Sequence, residues 1–220
     1  MQGSAAMSAG SGVTAGYGLA ESGASWEDAR AVLVLVHGRD GSPEEMAGLL
    51  SPELTERLRV LAPYAEARIW YPGRYDAPMA ENEAGRDAAL AAIDGAFAAA
   101  AERGFGPERV ILAGFSQGGC LVTEYLIAGR QRPAGAAIFT GTILARNERT
   151  LPERDLADLP IIVCGGSGDA WLPLGDFLAT EAVLSQMGGN VHLEMFPDAQ
   201  HMVRPEEIRL LGRLVDQLAP

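Results

Sequence analysis

The run Val110-Ile111-Leu112-Ala113-Gly114-Phe115-Ser116-Gln117-Gly118-Gly119 constrains this chain more than any other. Its first four residues are apolar and largely β-branched or aliphatic, the mark of a strand buried on both faces. Directly after it, Cys120-Leu121-Val122-Thr123-Glu124-Tyr125-Leu126 suits a helix. A strand that turns into a helix within two or three residues needs glycines where the two backbones approach. It also forces the residue at the apex into an unusual conformation. The Gly114-x-Ser116-x-Gly118 spacing in that context fits a turn that lifts a serine hydroxyl above the end of a sheet.

The rest of the chain repeats the same alternation. Residues 31–36, all Ala, Val or Leu, read as a buried strand. Ser42-Pro43-Glu44-Glu45 then starts a helix, with a capping serine, proline at the first position and acids in the first turn. Further strands are predicted at 68–72, 110–113, 136–140, 161–164 and 191–196. Helices are predicted at 83–103, 117–129, 175–188 and 204–218. Strands alternating with helices imply a mostly parallel sheet covered on both faces, an α/β fold. Residues 1–25 are dominated by Gly, Ala and Ser and read as a partly flexible N-terminal segment, in which Tyr17 or Val13 leaves room for an edge strand. Residues 26–220 read as a single domain.

Composition removes several chemistries. All 17 basic residues are Arg, so there is no lysine for a P-loop, a Schiff base or a Ser-Lys dyad. The net charge of −12 disfavours nucleic acid and anionic membrane surfaces as partners. No apolar run has the roughly 18 to 20 residues of a membrane span. Two Cys and three separated His make no zinc pattern, so neither metal nor cofactor is expected. Cys120 and Cys164 lie in or beside apolar runs and read as buried reduced thiols; with no export signal in the segment, the expected compartment is the cytoplasm.

A serine hydroxyl needs a base within hydrogen-bond reach, and the base needs a third group to orient it. When the serine sits on such a turn, the chain order is Ser, then an acid, then His. After Ser116 only His192 and His201 remain. His192 alternates with Val191 and Leu193 in a strand and reads as a strand residue. His201 follows the turn-rich Pro197-Asp198-Ala199-Gln200 and is the expected base. Asp169, in the loop after the strand at 161–164, is the expected acid; Asp198 reads as a turn cap. The loop His37-Gly38-Arg39-Asp40-Gly41 follows the first buried strand. There the main-chain amides of Arg39 and Gln117 are the candidate oxyanion donors.

Taken together, Val36-His37-Gly38-Arg39-Asp40-Gly41-Ser42, Gly114-Phe115-Ser116-Gln117-Gly118-Gly119, Gly168-Asp169 with Pro173, and His201 resemble the phospholipase/carboxylesterase family of small α/β-hydrolases. That family also includes acyl-protein thioesterases. The match runs over about residues 31 to 218. The resemblance implies an α/β-hydrolase fold without a large lid, cleavage of short- to medium-chain carboxylic esters through an acyl-enzyme, and a homodimer. Thioesters or lysophospholipids are the alternative substrates, and a non-catalytic ligand-binding protein on the same fold is the alternative of a different class. Arg39-Asp40 stands where many members have a small or apolar residue followed by Gly, which implies a more polar pocket entrance, and the aromatic segment Trp70 to Tyr75 resembles a bacterial subgroup and not the protein-depalmitoylating enzymes. Tyr75 and Trp171 are the candidate pocket walls.

Overall fold

The computed structural model describes residues 8–9 and 16–218. Eight strands form one sheet in the order β1-β2-β4-β3-β5-β6-β7-β8. They are β1 (Ser8–Ala9), β2 (Tyr17–Gly23), β3 (Ala31–Val36), β4 (Leu58–Ala65), β5 (Val110–Phe115), β6 (Gly135–Phe139), β7 (Pro160–Gly166) and β8 (Asn190–Phe196). From β4 to β8 every neighbouring pair is parallel; β2 runs antiparallel to both β1 and β4. The helices are α1 (Pro43–Ala47), α2 (Pro52–Thr55), α3 (Met79–Glu102), α4 (Gln117–Ala128), α5 (Leu174–Gln186) and α6 (Pro205–Leu218).

The period of two along each strand divides the core into two layers. On β3, Val32, Val34 and Val36 face the layer filled by α3 and α4, with Leu90, Phe97 and Tyr125. The alternate residues Ala31, Leu33 and Leu35 face Met46, Leu54 and Leu211 from α1, α2 and α6. Both faces of the central strands are therefore dry, which is why they read as unbroken apolar runs. Among the described residues no helix is long and apolar enough to cross a membrane.

Two elements differ from the expectation. Residues 68–72 form no strand. Arg68 has a left-handed backbone (φ 58°), and Asp40 N–H donates to its carbonyl at 2.8 Å. Trp70 N–H donates to Gln117 Oε1, and the Tyr71 carbonyl accepts from Gln117 Nε2. Side chains of the site take the hydrogen bonds that a neighbouring strand would have taken. The strand in this region is β4, which contains Pro63 and so does not read as one. Pro63 lies past the last β3–β4 pair, Val34 with Leu61, so its missing N–H leaves no gap in the parallel ladder, while on the other side it stands opposite Leu19 in the antiparallel β2–β4 ladder. Within the segment read as an N-terminal extension, Tyr17–Gly23 pairs with β4 along its whole length; residues 1–7 and 10–15 lie outside the described residues.

Candidate active site

The site lies at the carboxyl ends of β3, β5, β7 and β8, where an open parallel sheet leaves loops free to converge. Ser116 forms the link between β5 and α4. Its backbone is at φ 55°, ψ −116°, a conformation that an L-residue adopts only when its surroundings enforce it. The enforcing contacts are local. Ser116 N–H donates to the Phe139 carbonyl at 2.9 Å, and the Ser116 carbonyl accepts from Cys120 N–H at 2.9 Å. β5 and α4 run back so closely that a Cβ on Gly114 would lie 2.5 Å from the Gly118 carbonyl oxygen, and α4 approaches β3 so closely that a Cβ on Gly118 would lie 2.2 Å from the Val36 carbonyl oxygen. The glycines of the sequence pattern are thus steric requirements of the turn.

His201 lies between β8 and α6, and its Nε2 is 2.8 Å from Ser116 Oγ. Its Nδ1 is 2.7 Å from Asp169 Oδ2. A carboxylate only accepts, so Nδ1 carries the proton and Nε2 accepts from the serine hydroxyl. Asp169 follows β7, and its carboxylate is buried. The other oxygen, Oδ1, accepts from the amides of Trp171 at 2.7 Å and Leu172 at 3.2 Å. Those bonds hold the carboxyl group in orientation. Ser116, His201 and Asp169, separated by 85 and 32 positions in the chain, meet in one hydrogen-bonded row.

The competing candidates are occupied elsewhere. Asp198 is held by Arg204, whose hydrogen bonds depress its carboxyl to about 2. His192 pairs with Glu194 at 3.3 Å and is more than half exposed. His37 is buried: Nδ1 donates to the Gly38 carbonyl at 2.7 Å, Nε2 accepts from Ala65 N–H at 3.4 Å, and the ring packs on Trp70. Burial lowers its pKa and keeps it neutral. With both nitrogens engaged, it shapes the loop and does not serve as a base.

The loop after β3 presses against the serine. A Cβ on Gly38 would lie 3.2 Å from Ser116 Cβ. Among the described residues, neither the Arg39 nor the Gln117 main-chain amide donates to a protein acceptor. Their side chains perform a second task that sequence reasoning missed. Arg39 Nη2 is 2.9 Å from each of the carbonyls of Tyr71, Pro72 and Gly73. Gln117 bonds Trp70 and Tyr71 from the other side. The irregular 70–73 segment is therefore fixed as a wall of the site.

A cleft of about 440 Å³ opens over Ser116, lined by Tyr71, Tyr75, Phe115, Cys120, Trp171 and Leu172. Trp171 is 60% exposed, so it is no core residue. The Arg74 guanidinium lies over both Trp171 and Tyr75, at 5.6 and 5.8 Å from the ring centroids. Tyr75 is braced by its hydroxyl donating to Asp176 Oδ2 at 2.8 Å. Burial pushes the Cys120 thiol up to about 11, so it stays protonated and lines the cleft as a small apolar group. Sequence reasoning pointed to the aromatic groups of 70–75, Tyr75 among them, and to Trp171, but not to Cys120, Phe115 or Leu172. The last three sit one to four residues from Ser116 or Asp169, and that proximity was the available signal. Among the described residues no cluster of His, Cys, Asp or Glu is arranged to hold a metal ion.

A serine at a strand–helix elbow, with an acid and a histidine on later loops of a mostly parallel sheet, defines the α/β-hydrolase class. Within that class the chain belongs to the phospholipase/carboxylesterase family, whose model matches residues 23–217. It is similar to a solved phospholipase/carboxylesterase from Dyadobacter fermentans, with 27% identity, a TM-score of 0.78 and coverage of 89% of this chain and 94% of that one. A carboxylesterase from Mesorhizobium loti shares the fold at 17% identity, with a TM-score of 0.77 and coverage of 96% and 98%. A probable carboxylesterase, SOBER1-like, from Arabidopsis thaliana is 28% identical over 115 residues, 52% of this chain and 44% of that protein. The match thus spans less than half the length of that curated relative.

Proposed function

We propose that this protein is a serine carboxylesterase in which Ser116 is the nucleophile, His201 the general base and acid, and Asp169 the residue that orients and stabilises the imidazolium. The observation that carries this reading is the continuous row Ser116 Oγ, His201 Nε2, His201 Nδ1, Asp169 Oδ2, with contacts of 2.8 and 2.7 Å. In the reaction, Ser116 Oγ bonds to the ester carbonyl carbon while its proton passes to His201 Nε2. The carbonyl oxygen becomes an oxyanion facing the amides of Arg39 and Gln117, each such donor supplying about 3 kcal/mol of transition-state stabilisation. The C–O bond to the alcohol breaks, and the departing oxygen takes the proton from Nε2. Water then attacks the acyl-serine, giving its proton to His201, and collapse returns the proton to Ser116 and releases the carboxylic acid.

The substrate is a small ester with a short- to medium-length acyl group lying along Tyr71, Tyr75 and Trp171. The compartment is the cytoplasm, supported by two free and buried cysteines, and the assembly is a homodimer, as the family resemblance suggests. A non-catalytic role is disfavoured because a pure binding site would have no reason to hold a serine in a strained conformation against an oriented histidine.

The test is labelling with a fluorophosphonate alongside turnover of p-nitrophenyl esters and of a matched thioester. Wild-type protein is expected to label and to release a burst of p-nitrophenol. Ser116→Ala is expected not to label and to lose at least about a thousandfold in turnover while keeping its unfolding temperature. A Ser116→Ala protein with more than a tenth of wild-type activity would end the assignment.

A further inference from the structure

His201 sits in the eight-residue stretch 197–204, which joins β8 to α6 without regular structure. An irregular loop is a poor platform for a base that must reach two partners at once, so something has to hold it. Arg204 is 6% exposed, and its guanidinium points back under the loop. Nη2 donates to the Gln200 carbonyl at 2.8 Å and Nη1 to the Met202 carbonyl at 3.2 Å. These are the residues on either side of His201, so one planar cation holds both of its neighbours.

The guanidinium is itself anchored at two further points. Nε donates to Asp198 Oδ2 at 2.9 Å, and Nη2 donates to Asp198 Oδ1. Nη1 lies 3.3 Å from Glu207 Oε1, while the Arg204 main-chain N–H donates to Glu207 Oε2 at 2.7 Å. Glu207 is buried in the first turn of α6. The guanidinium carbon lies over the ring of Phe196, 5.1 Å from its centroid. Through Asp198 the clamp also reaches the loop of the acid. The Asp198 carbonyl accepts from Gly168 N–H at 2.9 Å, and the Phe196 carbonyl from Ser167 N–H at 2.8 Å. The loop carrying Asp169 and the loop carrying His201 are thereby docked on one another through residues that Arg204 holds.

We infer that Arg204 is a positioning residue for His201: by bonding the carbonyls of Gln200 and Met202 while anchored on Asp198 and Glu207, it keeps the imidazole within reach of Ser116 and Asp169 together. This rests on the reading of Ser116 and His201 as the reacting pair. A lysine cannot replace the clamp, because an ammonium is a point charge and lacks the fork that meets two carbonyls and two carboxyl groups at once. Misplacing a catalytic group by about 1 Å costs on the order of a hundredfold in rate. The loss therefore belongs in kcat and not in KM, since no atom of Arg204 lines the cleft over Ser116.

The experiment compares wild type, Arg204→Lys and Arg204→Ala on a p-nitrophenyl ester, with kcat expressed per active site titrated by the burst. Counting only reactive sites removes any misfolded fraction from the comparison. Both variants are expected to lose about ten- to a hundredfold in kcat, with KM within about twofold of wild type. Guanidinium ion at a concentration that leaves wild type unaffected is expected to restore part of the Arg204→Ala rate, and ammonium ion is not. Arg204→Lys keeps the charge between Asp198 and Glu207, so it remains informative if the alanine variant fails to fold. A kcat per titrated site within twofold of wild type in Arg204→Lys would overturn the inference and leave Arg204 a purely structural residue. Ser116→Ala is run in parallel. If it stays active the underlying reading has failed, whereas if it is inactive and Arg204→Lys is normal, only the positioning role has.

Discussion

At the scale of single residues, the site depends on which polar atoms already have partners. Three histidines are present, and their surroundings separate them more sharply than their chemistry does. His37 has both nitrogens engaged in the interior, and His192 faces Glu194 at the surface. His201 alone bridges a carboxylate and a hydroxyl. His201→Ala is therefore expected to cost about as much turnover as Ser116→Ala, and the double variant little more, since the two groups act as a unit. His192→Ala is expected to stay within about twofold of wild type. Steady-state kinetics on the four proteins checks this, and a reversal between the two histidines would remove His201 from the mechanism. The same reasoning shows what a sequence can reveal at this scale. Ser116, Asp169 and His201 are legible because each follows a strand in the required order. The second tasks of Arg39 and Gln117 are not, because their side chains bond main-chain carbonyls and amides of a segment about 30 to 50 residues away.

At the scale of elements, the buried strands β3, β5, β6 and β7 and the helices α3 to α6 are legible because their apolar periodicities carry the burial they experience. Elements whose hydrogen bonds are decided by distant partners are not. β4 carries a proline that only its exact register makes harmless, and 68–72 looks like a strand but spends its polar groups on Gln117 and Arg39. The elbow is the element with the least slack. Gly118→Ala would drive a Cβ against the Val36 carbonyl, so a loss of about 3 kcal/mol of stability is expected, together with most of the activity. Gly95→Ala, on an exposed face of α3 with nothing within 4 Å, is expected to gain about 0.5–1 kcal/mol. Denaturant unfolding of both variants decides whether the clash or general glycine entropy controls the effect. The start of α6 adds a pH signature. Burial raises the Glu207 carboxyl to about 7, against the pull of Arg204, and the nearby Asp198 charge adds to the rise. The sign follows from the raised folded value. The protonated acid is favoured in the folded state, so its contribution is complete below about pH 4.5 and is lost as pH rises through about 7. Glu207→Gln is expected to lose less unfolding temperature than wild type between pH 5 and pH 8. Equal losses would show that Glu207 is not the group titrating.

At the scale of the whole molecule, the fold, the charge and the cleft point to one kind of substrate. The connection from β6 to β7, residues 140–159, holds only a single 3₁₀ turn, Arg146–Glu148. No helix there is long enough to close over Ser116 as an interfacial lid. A net charge of −12 disfavours docking on anionic lipid surfaces. The cleft of about 440 Å³ has aromatic walls but a rim carrying Arg39 and Arg74. An acyl group entering it should gain up to about 0.8 kcal/mol for each methylene it buries, a factor of about four in kcat/KM, until the apolar wall is used up. Further methylenes then extend into water or against the charged rim and gain nothing. The expected profile from acetate to palmitate rises over the first members, peaks at short to medium length and falls beyond, with no jump where the longer esters form an interface. Trp171 supplies exposed apolar wall that no core packing requires, so Trp171→Ala should flatten the rising limb while leaving acetate nearly unchanged. A maximum at palmitate, or activation at an oil–water boundary, would show instead that the cleft extends well past the wall formed by Tyr71, Tyr75 and Trp171.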